Sequence, residues 1–140
     1  MSGAIKLNYS VSGDDFLQAG EASADVKSRL KLMGVPADAI RRAVIALYEA
    51  EINLVIHAHG GDISVEIRPG SVSMLVEDGG PGIEDVELAM REGFSTATEE
   101  IRDLGFGAGM GLPNMRKNTD EFALESTPGV GTQISMAVRF

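Results

Sequence analysis

The chain of 140 residues contains no cysteine. That excludes a disulfide framework and any thiolate metal site. Long apolar runs are also missing. Nothing approaches the ~20 consecutive apolar residues that a helix needs to cross a bilayer. The opening Met1-Ser2-Gly3-Ala4-Ile5-Lys6 lacks the apolar stretch of a signal peptide. A cytoplasmic location without a membrane partner is the expectation. Positive charge is scarce: 12 Lys and Arg stand against 21 Asp and Glu, for a net charge of −9. A nucleic-acid partner or an anionic membrane surface calls for the opposite balance, so no nucleic-acid partner is expected. Repeats, linkers and low-complexity segments are absent as well. What remains is ordinary core material, 44% hydrophobic, in a chain of single-domain length.

Glycine, by contrast, is plentiful at 17 residues, and it clusters. Asp78-Gly79-Gly80-Pro81-Gly82 closes an apolar, strand-like run. Gly105-Phe106-Gly107-Ala108-Gly109-Met110-Gly111-Leu112 stands where a helix should begin. Glycine lets backbone approach a ligand closely. Free N–H groups ahead of a helix favour an anion. Two such loops, the first with an acid, point to a nucleotide, with the base at one loop and the phosphates at the other. Taken alone, Asp78 is better read as a turn-capping Asp before Gly-Gly. The acidic net charge leaves the phosphate field to backbone N–H groups, a metal and a few cations. Arg102, Arg116 and Lys117 are the cations at hand, and each reads equally well as surface.

Residues 5–10 alternate weakly and predict a strand, exposed and able to pair across a homodimer. Asp14-Asp15 predict the cap of a helix through Phe16, Leu17, Ala24, Val26 and Leu30, closed by Gly34 before Pro36. A stronger helix is expected from about 37 to 58, ended by Gly60-Gly61. Residues 62–68 and 71–77 predict a hairpin around Pro69-Gly70. A short amphipathic helix is expected over 84–91. Residues 93–107 predict a long loop or lid that closes over the ligand and orders with the γ-phosphate. A helix over 110–118 and strands over 122–126 and 132–140 complete the chain. Met74, Met110, Met115 and Met136 read as core or pocket wall. The order predicts an α+β fold: a two-layer sandwich in which a mixed, mostly antiparallel sheet is covered on one face by helices.

The helix over 37–58 carries the chemistry. It is largely apolar, yet Glu49, Asn53 and His57 recur at spacings of four and share one face. Ionised Glu and neutral Asn are costly in an apolar segment unless a site solvates or pairs them. Glu49 suits a general base. The Asn53 carbonyl is a hard ligand suited to Mg²⁺. His57 suits either a phosphate contact or the helix end, and His59 the helix end. By itself the Glu-x-x-x-Asn pair is better read as a solvated stripe. Glu51, on another face, reads as surface.

In chain order, Glu49-Ala50-Glu51-Ile52-Asn53 with His57, Asp78-x-Gly80-x-Gly82, Gly107-Ala108-Gly109-Met110-Gly111-Leu112 and Gly129-Val130-Gly131-Thr132 resemble the ATP-binding domain shared by DNA gyrase, histidine kinases and MutL, the Bergerat fold. The resemblance covers nearly the whole chain and implies one histidine-kinase-like ATP-binding domain over 1–140. Within that superfamily the chain is most similar to the small bacterial serine/threonine kinases of partner-switching systems, the anti-sigma-factor kinases. Glu77 to Ile83, Gly93-Phe94-Ser95-Thr96, Gly107 to Pro113 and Asp120-Glu121-Phe122 carry the flavour of their switch subgroup. The stretch 95–104 is longer than that subgroup's pattern. The resemblance implies ATP and Mg²⁺ as cofactors and a Ser or Thr on a STAS-type antagonist as substrate. It also implies a sigma factor or phosphatase as a further partner. It assigns Glu49 as base and Asn53 as Mg²⁺ ligand, with His57 beside the nucleotide. Asp78 would accept from the adenine amino group, with Thr132 next to it. Gly80, Gly82 and Ile83 would pass under the base. Gly105, Gly107, Ala108, Gly109, Met110, Gly111 and Leu112 would hold the phosphates. Two other readings use the same pocket: a non-catalytic ATP-sensing module, and the catalytic unit of a split histidine kinase.

Overall fold

A computed structural model describes residues 4–13, 19–56, 60–79 and 111–140. In chain order these form β1 (Ile5–Ser12), α1 (Glu21–Leu32), α2 (Ala37–Ile56), β2 (Gly60–Arg68), β3 (Ser71–Asp78), α3 (Gly111–Lys117), β4 (Glu121–Thr127) and β5 (Gly131–Arg139). The strands lie in one sheet of order β1-β2-β3-β5-β4. All four described pairings are antiparallel, in line with the mostly antiparallel sheet expected. The reason is local for two of them. β2 and β3 are joined by the tight Pro69-Gly70 turn, with Gly70 at φ 87, and β4 and β5 by the turn at residues 128–130. Such hairpins can only be antiparallel. β5 then inserts between β3 and β4, so the last strand of the chain lies beside the strand that ends at Asp78.

Period-two alternation puts one face of the sheet into the core. Leu7, Val65, Met74, Met136 and Phe122 form one row across all five strands. The two helices α1 and α2 cover that face, and Val26, Leu30, Leu47 and Leu54 are buried between the layers. Ala39, Ala43, Ala46 and Ala50 are also buried, so α2 approaches its neighbours closely. The opposite face is polar. There Ser64 Oγ donates to Asn8 Oδ1 at 3.1 Å and Ser10 Oγ donates to Asp62 Oδ1 at 3.1 Å. The two-layer expectation holds. Met74, Met115 and Met136 are core residues, as expected, while Met110 lies outside the described residues.

Two sequence expectations change. Gly60 and Gly61 do not merely end α2; they open β2 and pair with Ser12 and Val11. The α1 helix begins at Glu21, with Gly20 at its N-cap position in a left-handed conformation of φ 99 and no side-chain cap of its own. Asp14, Asp15, Phe16 and Leu17 lie outside the described residues, as do the segments 84–91 and 93–107. The cap comes instead from Glu51, which is not a surface residue. It is 2% exposed. Its carboxylate accepts the backbone N–H groups of Gly20 (2.9 Å), Ala22 (3.1 Å) and Ser23 (3.1 Å), and the Ser23 hydroxyl (2.8 Å). The first N–H groups of a helix have no partner within it. Here α2 supplies that partner from across the layer.

The start of α2 is tied to the far end of the sheet. Arg42 donates to Asp38 and to Asp120, each at 3.3 Å, and to the Arg139 carbonyl at 3.3 Å. Asp120 also accepts the Arg139 backbone N–H at 2.7 Å. That N–H, then the Arg42 guanidinium, hold the Asp120 carboxyl below its ordinary range. A depressed native pKa means stability that is complete above the unfolded value of about 4 and is lost as pH falls through the native one. Asp120→Asn should therefore flatten part of the acid limb of a Tm-against-pH profile below about pH 4. Parallel profiles for variant and parent would show that Asp120 is not a source of that limb.

Candidate functional site

The helical repeat places Glu49 and Asn53 one turn apart on the same side of α2, both half-buried and each followed by a buried residue, Ala50 and Leu54. The start of α3 packs against this pair. A Cβ on Gly111 would stand 3.3 Å from Asn53 Oδ1 and 3.5 Å from Glu49 Oε2. Position 111 thus lies at ordinary contact distance from Glu49 and slightly closer to Asn53. Three residues on, Asn114 Nδ2 donates to Glu49 Oε1 at 3.3 Å. Leu112 and Met115 are buried and hold α3 down on the core. The Leu112 side chain is thus a core group.

The second half of the site is built by the sheet. Asp78 ends β3, and the register sets Thr132 of β5 directly beside it. Ser126 of β4 pairs with Thr132 in turn, their hydroxyl oxygens 2.8 Å apart. Two glycines shape the backbone here. Gly131 has φ 148, and a side chain on it would run into the Asp78 carbonyl. A Cβ on Gly61 would strike the Glu77 carbonyl, and would lie 2.8 Å from Leu54 Cδ2 and 3.2 Å from Asp78 Cβ. Leu54 follows Asn53 on α2, so the helix pair and the Asp78 end of the sheet border the same region. The structure thus brings together Glu49, Asn53 and Gly111, and separately Asp78 and Thr132. His57, Gly80, Gly82, Ile83, Gly105, Gly107, Ala108, Gly109 and Met110 lie outside the described residues, as do His59 and Arg102. Arg116 and Lys117 are exposed in the last turn of α3, where cations suit the helix dipole.

Two polar residues of this region, Asn114 and Ser126, are not signalled by the sequence. Asn114 is marked only by its place one turn after Gly111. Ser126 is marked by nothing local, because its position depends on the β4–β5 register. Among the described residues no cluster of three or more His, Asp or Glu forms a metal cage. The donor set nonetheless fits Mg²⁺. That ion keeps several waters and takes phosphate oxygens, needing one or two hard protein ligands, and the Asn53 carboxamide oxygen is one. A cavity of about 410 Å³ opens elsewhere, on the Glu51 side of α2, lined by Tyr9, Ser10, Ala22, Asp25, Glu51 and Val55. Two of its polar side chains, Tyr9 and Asp25, are bonded to each other. The Tyr9 hydroxyl donates to Asp25 at 2.6 Å, and Arg29 Nε donates to the same oxygen at 2.9 Å. Burial and that carboxylate push the Tyr9 phenol well above its ordinary pKa. This is a structural seam between β1 and α1.

The site is thus a helix that presents an acid and an amide to a glycine at the start of a short helix, beside an acid at a strand end. Residues 38–140 match the family described as Histidine kinase-, DNA gyrase B-, and HSP90-like ATPase, and the chain belongs to it. An Anti-sigma F factor of Caldanaerobacter subterraneus subsp. tengcongensis is 42% identical over 96 residues, which are 65% of this chain and 64% of that protein. The Serine/threonine-protein kinase RsbT of Bacillus subtilis is 35% identical over 97 residues, 66% of this chain and 67% of the relative. The matched stretch therefore spans about two thirds of the curated relatives' own length. Among solved structures, the RsbU and RsbW domains of Rv1364c from Mycobacterium tuberculosis align with a TM-score of 0.60 at 17% identity, over 95% of this chain and 32% of that one. The mycobacterial sensor histidine kinase MprB aligns with a TM-score of 0.51 at 18% identity, over 96% and 97%. At such identities the structural likeness speaks for the fold. Among the described residues, no helix is long and apolar enough to cross a membrane.

Proposed function

We propose that this chain is an ATP-dependent protein serine/threonine kinase of a partner-switching pathway. Its substrate would be a Ser or Thr on a STAS-type antagonist protein, and a sigma factor or a phosphatase its further partner. We read residues 1–140 as one ATP-binding domain working in the cytoplasm. The observation that carries this is the convergence of Glu49 and Asn53 on the backbone of Gly111. A nucleotide sensor needs a pocket but no base, and the chain keeps both residues. The names of the relatives at 42% and 35% identity support the kinase and anti-sigma reading.

In this reading Asn114 orients the Glu49 carboxylate through Oε1, and Oε2 accepts the proton of the attacking hydroxyl. The hydroxyl oxygen bonds to the γ-phosphorus, the bond from that phosphorus to the β–γ bridging oxygen breaks, and ADP leaves. Positioning and charge neutralisation dominate such a step. Asn53 Oδ1 would hold Mg²⁺, which when bound neutralises the phosphate oxygens. Asp78 would accept from the adenine amino group, beside the Thr132 hydroxyl. Gly80, Gly82 and Ile83 would line the base, and residues 105–112 the phosphates, with His57 near them. β1 lies at the sheet edge, where a second copy would add its own strand.

Incubation with γ-labelled ATP and STAS-domain proteins tests the reading. The expected product is an acid-stable phosphoserine or phosphothreonine. Acid-labile phosphohistidine on another chain would make this a split histidine kinase. Tight ATP binding without any transfer would make it a sensor.

A further inference from the structure

Glu51 sits midway between Glu49 and Asn53 on α2. At about 100° per residue, two steps from either one carry it to the opposite side of the helix. There it makes the four hydrogen bonds to residues 20–23 described above. It is one of two buried polar side chains among the described residues, and the other, Ser23, donates to it. The helix is therefore held from two sides: toward Gly111 and Asn114 by Glu49 and Asn53, and toward the first turn of α1 by Glu51. Its buried face mixes four alanines, at positions 39, 43, 46 and 50, with the larger Ile40, Leu47, Ile52, Leu54 and Val55. The alanine positions permit close approach but offer little shape to resist rotation about the helix axis. Four directional bonds to one carboxylate do resist it, and bonds to a charged acceptor are the strong ones.

We propose that Glu51 is a positioning residue, whose grip on the first turn of α1 sets the rotation of α2 and so the aim of Glu49 and Asn53. The inference rests on the reading of those two residues as the phosphate end of a nucleotide site. The lever is short and stiff. With side chains reaching about 6 Å from the axis, a rotation of about 10° moves the Glu49 carboxylate by about 1 Å. A misplacement of that size costs on the order of 10²-fold in rate. Glu51→Gln keeps the shape but turns one acceptor oxygen into a donor facing N–H groups, so the grip should slacken.

The test compares parent, Glu51→Gln and Ser23→Ala in two measurements. The first is calorimetric affinity for ADP without metal and for ATP with and without Mg²⁺. The second is single-turnover phosphate transfer per nucleotide-binding molecule. Glu51→Gln should hold metal-free ADP to within about threefold, because Asp78 and Thr132 belong to the sheet. It should lose at least about tenfold of the Mg²⁺-dependent tightening of ATP, and about 10²-fold in transfer. Ser23→Ala removes one of the four donors and should shift both readouts the same way by a smaller factor. It carries the test if Glu51→Gln does not fold. A lowered Tm with parental Mg²⁺-dependent tightening and a parental transfer rate would overturn the proposal and leave Glu51 a simple cap. If the parent binds Mg-ATP but transfers nothing, the kinase reading falls while the tightening still decides the role of Glu51. A parent that does not bind Mg-ATP overturns both.

Discussion

Glu49→Gln will bind ADP and ATP as the parent does and transfer phosphate roughly 10²–10⁴ times more slowly, the range over which a general base acts. The substitution is nearly isosteric. Its amide oxygen can still accept from Asn114 Nδ2, which lies 3.3 Å from Glu49 Oε1, so the packing of α3 on α2 should survive. What disappears is the oxygen able to take a proton from the acceptor hydroxyl. Rapid-quench measurement of a single turnover, with ADP affinity measured on the same preparation, separates binding from chemistry. If the variant transfers phosphate at the parental rate, Glu49 is a structural partner of Asn114 and the base lies elsewhere.

Asp78→Asn should weaken ADP by about tenfold to a hundredfold, and ATP equally. A hydrogen bond to a charged group is worth about 1.5–3 kcal/mol, and 1.4 kcal/mol is a factor of ten. The amide also presents donors where adenine offers an amino group. The change should be local, because Gly61 and Gly131 shape this stretch through the backbone of β3 and do not depend on the Asp78 charge. Calorimetry with ADP decides it. An unchanged affinity, with a lower Tm in the absence of nucleotide, would return Asp78 to the role of a turn cap.

How far the sequence speaks depends on the range of the interaction. Period-two alternation located the strands around Ile63, Val65 and Ile67 and around Val72, Met74 and Val76, because each such strand has one buried face. The 3.6-residue period placed Glu49 and Asn53 together, since one helix determines that relation. Glu51 escapes the same pattern. Periodicity says which side of α2 it occupies but not that the uncapped start of α1 lands there. The neighbourhood of Asp78 and Thr132 follows from β5 entering between β3 and β4, and no local pattern in either strand encodes that insertion. Ser126 and Asn114 depend on the same long-range placement. The motif order pointed to Asp78 and Thr132 as one site only through the family resemblance.

The split of the site between layers has a thermodynamic meaning. Glu49 and Asn53 belong to the helical layer, Asp78 and Thr132 to the sheet. A nucleotide held by both would act as a clasp across the core, and unfolding would require its release. Such linkage adds RT ln(1 + [L]/Kd) to stability, about 2.7 kcal/mol at a ligand concentration a hundred times Kd. In a cell replete with adenine nucleotide, the folded population would then be buffered by its own cofactor. Core substitutions that purified, nucleotide-free protein does not tolerate could persist there unnoticed, and their cost would surface only when nucleotide runs short.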